Sequence, residues 1–306
     1  DLLFDESLPE QGRNFTTKMW NAFKLVKSWE VANIEQPAHA RLAIEWFSNL
    51  MGKTNETLNT LFEQYRISEA LMTVYTTFRD EFSSWLLEMI KPAYGHPIDQ
   101  KTYEQIIGIF EQLLQQLHPF MPFITEEIWQ TLRKREEGES IMISLLPQTM
   151  AYDEKLLAHF EIVKNIIVSI RNIRKQNNVA FKDSLELKVK QNDRYPEIFA
   201  SIISKMGNLS TIEIINEAPK GAWSFITDTV EYFIPATGQV NTEEIKVQLE
   251  EELNYTRGFL NSVMKKLSNE KFINGAPEQV VANERKKQAD AEAKIAAIIS
   301  QLAELK

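Results

Sequence analysis

The chain has 306 residues, of which 43% are hydrophobic and 25% charged. This composition is typical of a globular protein and excludes collagen-like, low-complexity and largely disordered chains. At about 100 to 200 residues per domain, the length predicts two or three domains. The formal net charge of -9 argues against a nucleic-acid-binding surface that covers the whole protein.

Several kinds of site are excluded by missing residues. The chain contains no cysteine, which excludes disulfides, thiolate catalysis and cysteine-ligated metal centres. Its four histidines are not at metal-ligand spacing, and no phosphate-binding glycine loop or nucleophile elbow occurs. No apolar run approaches the roughly 18 residues that span a membrane, and no signal peptide is recognisable. We therefore expect a cytoplasmic protein without membrane association, metal site or catalytic residue.

Residues from about 10 to 135 show the periodicity of amphipathic helices. The clearest apolar stripe keeps three- and four-residue steps over six turns and stops at Lys91-Pro92. Its members are Ile67, Leu71, Val74, Phe78, Phe82, Trp85 and Met89. His118 lies before Pro119 at a predicted helix corner, so we interpret it as structural. The pattern predicts five helices with short connections, packed as an antiparallel bundle over residues 1–150.

The next segment, residues 151–238, combines helices and strands. A helix with apolar positions from Leu156 to Ile173 precedes the strict alternation of Leu185 to Val189, which predicts a half-buried strand. Residues 198–206 are predicted to be helical, and 211–215, 222–227 and 230–235 to be strands. We expect a small α/β module with two helices over one face of its sheet.

Residues 239–306 predict a helical hairpin that forms a coiled coil. Apolar positions run to Leu267, stop over 268–276 and resume towards Leu305. Each helix of about 27 residues would be about 40 Å long. Because the narrow seam leaves no apolar face for docking, we expect the hairpin to project from the protein as an arm. The fold class is thus mainly α: a helical bundle, a small α/β module and a C-terminal hairpin.

Basic residues are concentrated in particular segments despite the acidic average. Residues 11–29 carry four bases and no acid, and residues 162–182 carry five bases and no acid. Residues 55–111 carry nine acids against four bases. In the hairpin, bases lie near the turn and acids farther from it. This distribution is what a protein with one polyanion-binding side needs.

Five sequence segments resemble class I aminoacyl-tRNA synthetases. GRNFTTKMWNAFKLV (12–26), RISEALMTVYTTFRDEFSSWLLEMIKP (66–92) and LHPFMPFITEEIWQTL (117–132) resemble the anticodon-binding helical domain of the synthetases for aliphatic amino acids. IRNIRKQNNV (170–179) and LSNEKFINGAPEQVVANERKK (267–287) narrow the resemblance, and the latter is similar to the tip and return helix of the C-terminal arm of valyl-tRNA synthetases. The resemblance covers essentially all 306 residues.

The resemblance implies the C-terminal, tRNA-binding portion of an ATP-dependent valine-tRNA ligase. The family's Rossmann catalytic domain, with its HIGH and KMSKS signatures, and its editing domain do not occur in this sequence. A chain that begins at Asp1 fits this expectation of a fragment. The implied partners are tRNA(Val) and the catalytic and editing domains of the same parent chain. ATP and Mg²⁺ belong to the parent enzyme, so we expect no cofactor here, and we expect a monomer.

Binding of the anticodon arm needs side chains that reach splayed bases and cations that hold the adjacent phosphates. We expect this surface to comprise Arg13, Asn14, Lys18, Lys24, Lys27, Arg171, Arg174 and Lys175. The alternative is that Arg13 and Asn14 cap the first helix and that the other cations form solvated helix faces.

A second cationic cluster is predicted at the hairpin tip, where the resemblance implies contact with the outer corner of tRNA. It comprises Arg257, Lys265, Lys266, Lys271, Arg285, Lys286 and Lys287. The alternative here is charge that merely keeps a coiled coil soluble. A different function class also remains open, namely a helical protein-interaction scaffold that associates through the seam residues Ile295, Ile298 and Leu302.

Overall fold

The computed structural model describes residues 7–235 and 242–304. The chain divides into two compact units, Asp1–Ala158 and His159–Lys306. The first is helical, and the second contains a sheet with its covering helices and the C-terminal hairpin. The predicted fold class is confirmed. The predicted three-part division stays a prediction, because the module and the hairpin are grouped here in one unit.

The helices of the first unit follow the predicted apolar stripes. They are α1 (Ser7–Lys27), α2 (Ala38–Glu63), α3 (Ile67–Thr76), α4 (Leu87–Ile90), α5 (Gln100–Leu117) and α6 (Pro122–Leu132). A short parallel pair, β1 (Val31–Ala32) with β2 (Ile98–Asp99), joins two of the connections. Pro122 opens α6, where a missing N–H costs nothing. His118 makes a contact within the fold, since its Nδ1 lies 2.7 Å from the buried Thr125 hydroxyl, and its structural role stays a prediction.

A π-helical segment, Thr77–Leu86, connects α3 to α4 without a break. Hydrogen bonds to the fifth residue back widen each turn beyond 3.6 residues. Apolar residues spaced by four therefore stay on one face, and Val74, Phe78, Phe82 and Leu86 are all fully buried. The predicted stripe placed Trp85 on this face, but Trp85 is only half-buried because the wider turn brings Leu86 inward instead.

Aromatic rings fill the centre of this first unit. Phe78, Phe82 and Phe110 are fully buried, with ring centroids 5.0 to 5.7 Å apart. Phe47 lies 5.9 Å from Phe82 on the opposite side. Tilted and edge-on ring pairs of this kind add stability beyond the burial of their area. These ring contacts hold α2, the π-helical segment and α5 together, and Phe15 of α1 packs against the ring of Phe78.

The second unit contains a four-stranded sheet with the order β4-β3-β6-β5. The elements are α7 (Glu154–Gln176), which crosses from the first unit, β3 (Leu185–Lys190), α8 (Ala200–Gly207), β4 (Leu209–Ile215), β5 (Ala222–Thr227) and β6 (Val230–Pro235). Strand β3 pairs in parallel with β4 and antiparallel with β6. The four predicted strands are confirmed within two residues at either end.

The hairpin consists of α9 (Thr242–Leu267), α10 (Glu270–Gly275) and α11 (Glu278–Glu304). Its seam follows alternating three- and four-residue steps, as in a coiled coil. Val263, Ala291 and Ile298 are buried between the helices. Polar residues also occupy buried positions of the hairpin, namely Thr256 in the middle of α9 and Glu284 nearer the tip on α11. These buried positions were not predicted, because the apolar pattern is interrupted there.

Candidate nucleic-acid interface

The predicted residues of α1 are distributed between an outer face and a flank. Arg13 and Lys24 are both exposed and are separated by eleven residues, about three turns, so they share the outer face. Asn14 is exposed beside them. The Arg13 guanidinium lies 3.5 Å from Glu10 in a solvent-exposed pair that contributes little binding energy. The outer face is therefore open to a ligand.

Two further lysines of α1 make contacts within the fold. Lys18 donates a hydrogen bond of 3.4 Å to the Ser84 hydroxyl in the π-helical segment. Lys27 donates to the carbonyl of Leu132 at 3.3 Å, where a cation also favours the C-terminal end of α6. Lys27 therefore has a structural contact, and its role in RNA binding stays a prediction.

The π-helical segment places a charged aromatic cluster beside α1 that the sequence did not indicate. Arg79 donates to Asp80 at 2.7 Å and to the Tyr75 hydroxyl at 3.1 Å, and its guanidinium lies 4.9 Å from the Tyr75 ring centroid. The Tyr75 ring is 4.6 Å from that of Phe15 on α1. The hydrogen bond from Arg79 lowers the pKa of Asp80, and the charge of Lys18 lowers it further. No sequence signal identifies this cluster, because its residues lie in an acidic stretch.

Arg174 was predicted to bind RNA, and this prediction is wrong. The residue is only 4% exposed. One terminal nitrogen donates to the carbonyls of Ala180 and Asp183 at 3.0 and 2.7 Å, and the other to Gly207 and Asn208 at 2.9 and 3.0 Å. The guanidinium thus holds the ends of α7 and α8 together and cannot reach a phosphate.

Helical spacing could have placed Arg174 in the core. It lies four residues after Ile170 and seven after Ile167, and both isoleucines are fully buried. Arg171 and Lys175 instead lie on the exposed side of α7, one turn apart. Of the three cations predicted on this helix, the structure leaves these two accessible to a ligand.

The hairpin tip brings four of the predicted cations together at one end of the hairpin. Lys265 and Arg285 are exposed, and no carboxylate in the described part of the chain pairs with either. Lys266 and Lys287 lie 3.7 and 2.6 Å from the carboxylate of Glu284. The hydrogen bond from Lys287 holds the pKa of Glu284 below its ordinary value, with a further contribution from the charge of Lys266.

The remaining tip predictions have different outcomes. Arg257 is exposed on α9, eight residues before Lys265. The side chain of Lys271 lies outside the described residues. Lys286 is bonded to Asp228 at the turn between β5 and β6, with 2.6 Å between Nζ and Oδ1. Helix α11 therefore meets the sheet through this charged pair, a contact that was not predicted, and the expectation that the hairpin offers no apolar face for docking stays a prediction.

Comparison with known proteins gives two family matches along the chain. Residues 45–190 match the anticodon-binding domain of tRNA ligase, and residues 241–306 match the valyl tRNA synthetase tRNA binding arm. The valine-tRNA ligases of Phocaeicola vulgatus and Parabacteroides distasonis are 54% and 50% identical over 306 residues, all of this chain and 35% of each relative. The valine-tRNA ligase of Enterococcus faecalis is 32% identical over 321 residues and 36% of its length.

The chain belongs to the valyl-tRNA synthetase family. It spans about a third of the length of the family members it matches. The two matched regions include the α7 cations and the hairpin tip, whereas α1 precedes the first matched region. Among residues 7–235 and 242–304, no helix has the length and apolar character needed to cross a membrane.

Proposed function

We propose that the chain binds tRNA(Val) through two cationic surfaces and orients it for aminoacylation elsewhere in a longer valine-tRNA ligase. The anticodon surface comprises Arg13, Asn14, Lys18 and Lys24 in the first unit. Arg171 and Lys175 in the second unit are proposed as separate contacts with the backbone of the anticodon stem. The corner surface comprises Arg257, Lys265, Lys266, Arg285 and Lys287. ATP and Mg²⁺ act in the catalytic domain of that protein, and its editing domain is a further partner. The proposal includes a cytoplasmic location and a monomeric state.

The hairpin tip carries this proposal. Lys265 and Arg285 are exposed cations without carboxylate partners in the described residues, and they lie in the region that matches a tRNA-binding arm. Cations in this state release counterions when they meet phosphates, which gives salt-dependent affinity without base selection. The first unit supplies the groups for selection, because Arg13 and Asn14 present hydrogen-bond donors on the same helix as the exposed Lys24.

The scaffold alternative finds less support. It needs a free apolar seam, but Ile298 is buried against α9 of the same hairpin and Ile295 is half-buried. A second chain would have to displace α9 before it could use this seam. Self-association that persists at high salt would favour the scaffold, whereas RNA binding that weakens with salt favours our proposal.

Titration of tRNA(Val) transcript at several salt concentrations tests the proposal. We expect the affinity to fall steeply with salt, and the variant Lys265→Ala/Arg285→Ala to reduce the slope of log K against log salt by about two, one for each lost phosphate contact. Chemical footprinting should show that this variant loses protection at the tRNA corner and keeps it at the anticodon.

The matched control removes two exposed lysines outside the cationic surfaces, Lys101→Ala/Lys220→Ala. It changes the net charge by the same amount, so it should leave the slope nearly unchanged. If the tip variant and the control give equal slopes, the tip is not a phosphate-binding surface. If the wild-type chain shows no preference for tRNA(Val) over a tRNA with another anticodon, the anticodon surface is wrongly assigned.

A further inference from the structure

The turn between β5 and β6 has an uncommon backbone conformation. Thr227 pairs with Val230, so Asp228 and Thr229 form a two-residue turn, and both have positive φ angles, 51° and 66°. Turns of this kind favour asparagine or aspartate followed by glycine. Threonine at the second position is strained by its branched Cβ. A strained turn persists only where surrounding contacts hold it in place.

Helix α11 supplies such contacts from one of its faces. Lys286 and Asp290 lie one turn apart, on the side of α11 away from the buried Glu284 and Ala291. The Lys286 amine is 2.6 Å from the Asp228 carboxylate, whose side chain is only 15% exposed. The backbone of Thr229 interacts with the Asp290 carboxyl and acts to lower its pKa. Both turn residues are therefore engaged by the same helix.

Several charged groups act on the Asp290 carboxyl at this contact. Burial is the main cause that raises the pKa of the Asp290 carboxyl, and the negative charge of Asp228 raises it further. Lys286, Arg194 and the Thr229 backbone act in the opposite direction. The Lys286 amine is thus 2.6 Å from the Asp228 carboxylate, and its charge also acts on the Asp290 carboxyl.

We propose that Asp228 and Thr229 are positioning residues that fix the direction of the hairpin through Lys286 and Asp290. Helix α11 belongs to the hairpin, and Asp228 and Thr229 belong to the sheet. The side-chain contact between them attaches the return helix directly to the turn between β5 and β6, and this attachment forms a joint that fixes the direction of the hairpin relative to the sheet. The cations of the tip then meet the tRNA without first losing orientational freedom, and this preorganisation raises affinity.

This inference rests on the proposed function for its role in RNA binding, but the joint can be tested without RNA. The chain has no cysteine, so spin labels react only with two introduced cysteines. Lys182→Cys on the module and Gln279→Cys on α11 are both exposed positions. We expect a narrow distance distribution in this background, a broad one after Asp228→Lys, and a narrow one again in the charge-swapped variant Asp228→Lys/Lys286→Asp.

The control is Glu186→Lys, an exposed position on β3 with the same change in charge, which should leave the distribution narrow. If Asp228→Lys unfolds the module, the milder Asp228→Asn should still broaden the distribution. If the distribution of spin-label distances stays narrow in folded Asp228→Lys and Asp228→Asn, the proposal that this contact fixes the hairpin is wrong.

Affinity for tRNA(Val) tests the positioning role separately. We expect Asp228→Lys to weaken binding roughly tenfold although it adds positive charge, and the charge swap to restore it. Simple electrostatics predicts the opposite sign for Asp228→Lys. Broad distances with unchanged or stronger binding would overturn the positioning role. A wild-type chain that binds no tRNA would instead overturn the proposed function and leave the distance result standing.

Discussion

Four backbone carbonyls converge on the guanidinium of Arg174, and this arrangement decides the role of the residue. Arg174→Met keeps the length of the side chain but removes the arginine donors to the buried Gly207 carbonyl and the partly buried Asp183 carbonyl, whereas the Ala180 and Asn208 carbonyls keep backbone donors. Because unsatisfied buried groups are costly, we expect the free energy of unfolding to fall by about 2 to 4 kcal/mol. Urea unfolding followed by circular dichroism measures the change.

The neighbouring Lys175 provides the control for this prediction. Its side chain is exposed, so Lys175→Met should alter the unfolding free energy by less than about 0.5 kcal/mol while weakening tRNA binding. Equal loss of stability in both variants would contradict the clamp assigned to Arg174.

Gly52 permits a close approach between α2 and the segment that leads into α7. A Cβ atom at this position would lie 2.8 Å from the Met150 carbonyl oxygen and 3.2 Å from the Tyr152 Cβ. We expect Gly52→Ala to lower the unfolding free energy by about 1 to 3 kcal/mol, since backbone must move to accept the methyl group. Thermal unfolding monitored by circular dichroism provides the measurement.

A glycine in another helix gives the opposite expectation. At Gly108 in α5 the nearest atom to an added Cβ is an Arg133 nitrogen at 4.0 Å. Gly108→Ala should therefore stabilise the chain by up to about 1 kcal/mol through helix propensity. A stabilised Gly52→Ala variant would show that the segment at Met150 is not packed against α2.

At the scale of elements, the hairpin contains a buried acid whose ionisation affects stability. The Glu284 pKa is lowered in the folded state, chiefly by the hydrogen bond from Lys287. A lowered pKa means that the folded state favours the ionised carboxylate, so its contribution is present near neutral pH and lost as pH falls through the folded pKa. Glu284→Gln removes this contribution.

We therefore expect wild-type and Glu284→Gln to differ most in melting temperature at pH 7, and to converge as the pH falls below the ordinary glutamate value of about 4.5. Thermal unfolding at each pH measures the difference. Glu278→Gln changes an exposed acid of the same helix and serves as control. Its melting temperature should match that of the wild type both at pH 7 and at the lower pH. A constant difference across the pH range would contradict the ionised role of Glu284.

The elements show why parts of the fold could be predicted and others could not. Alternation in Leu185 to Val189 and the stripe through Phe78 are local patterns; the first gave the correct strand, and the second gave a continuous helical run but not its π-helical turns. The π-helical segment and the seam position of Glu284 depend on tertiary contacts, which a local pattern does not contain. The same holds for the site, because segment charge located the cations but not their partners, such as Asp228 for Lys286.

At the scale of the whole molecule, the anticodon surface on α1 and the corner surface on the hairpin belong to different compact units. Arg13 and Lys24 belong to the first unit, whereas Lys265 and Arg285 belong to the second. Changes at distant sites without common partners usually contribute additively to free energy. If one tRNA contacts both surfaces, each contributes its own part of the affinity.

We expect the double variants Arg13→Ala/Lys24→Ala and Lys265→Ala/Arg285→Ala each to weaken tRNA(Val) binding. In the quadruple variant the dissociation constant should rise by the product of the two factors, so that the loss of binding free energy equals the sum of the two separate losses within about 0.5 kcal/mol. Fluorescence anisotropy with labelled tRNA at fixed salt supplies the three affinities. A quadruple variant no weaker than the tip variant would show that α1 lies outside the interface. Suppose instead that each double variant weakens binding but the quadruple variant loses much less affinity than the product of the two factors. The tRNA would then use the two surfaces alternately, because a tRNA that contacts both surfaces at once loses the binding energy of both in the quadruple variant.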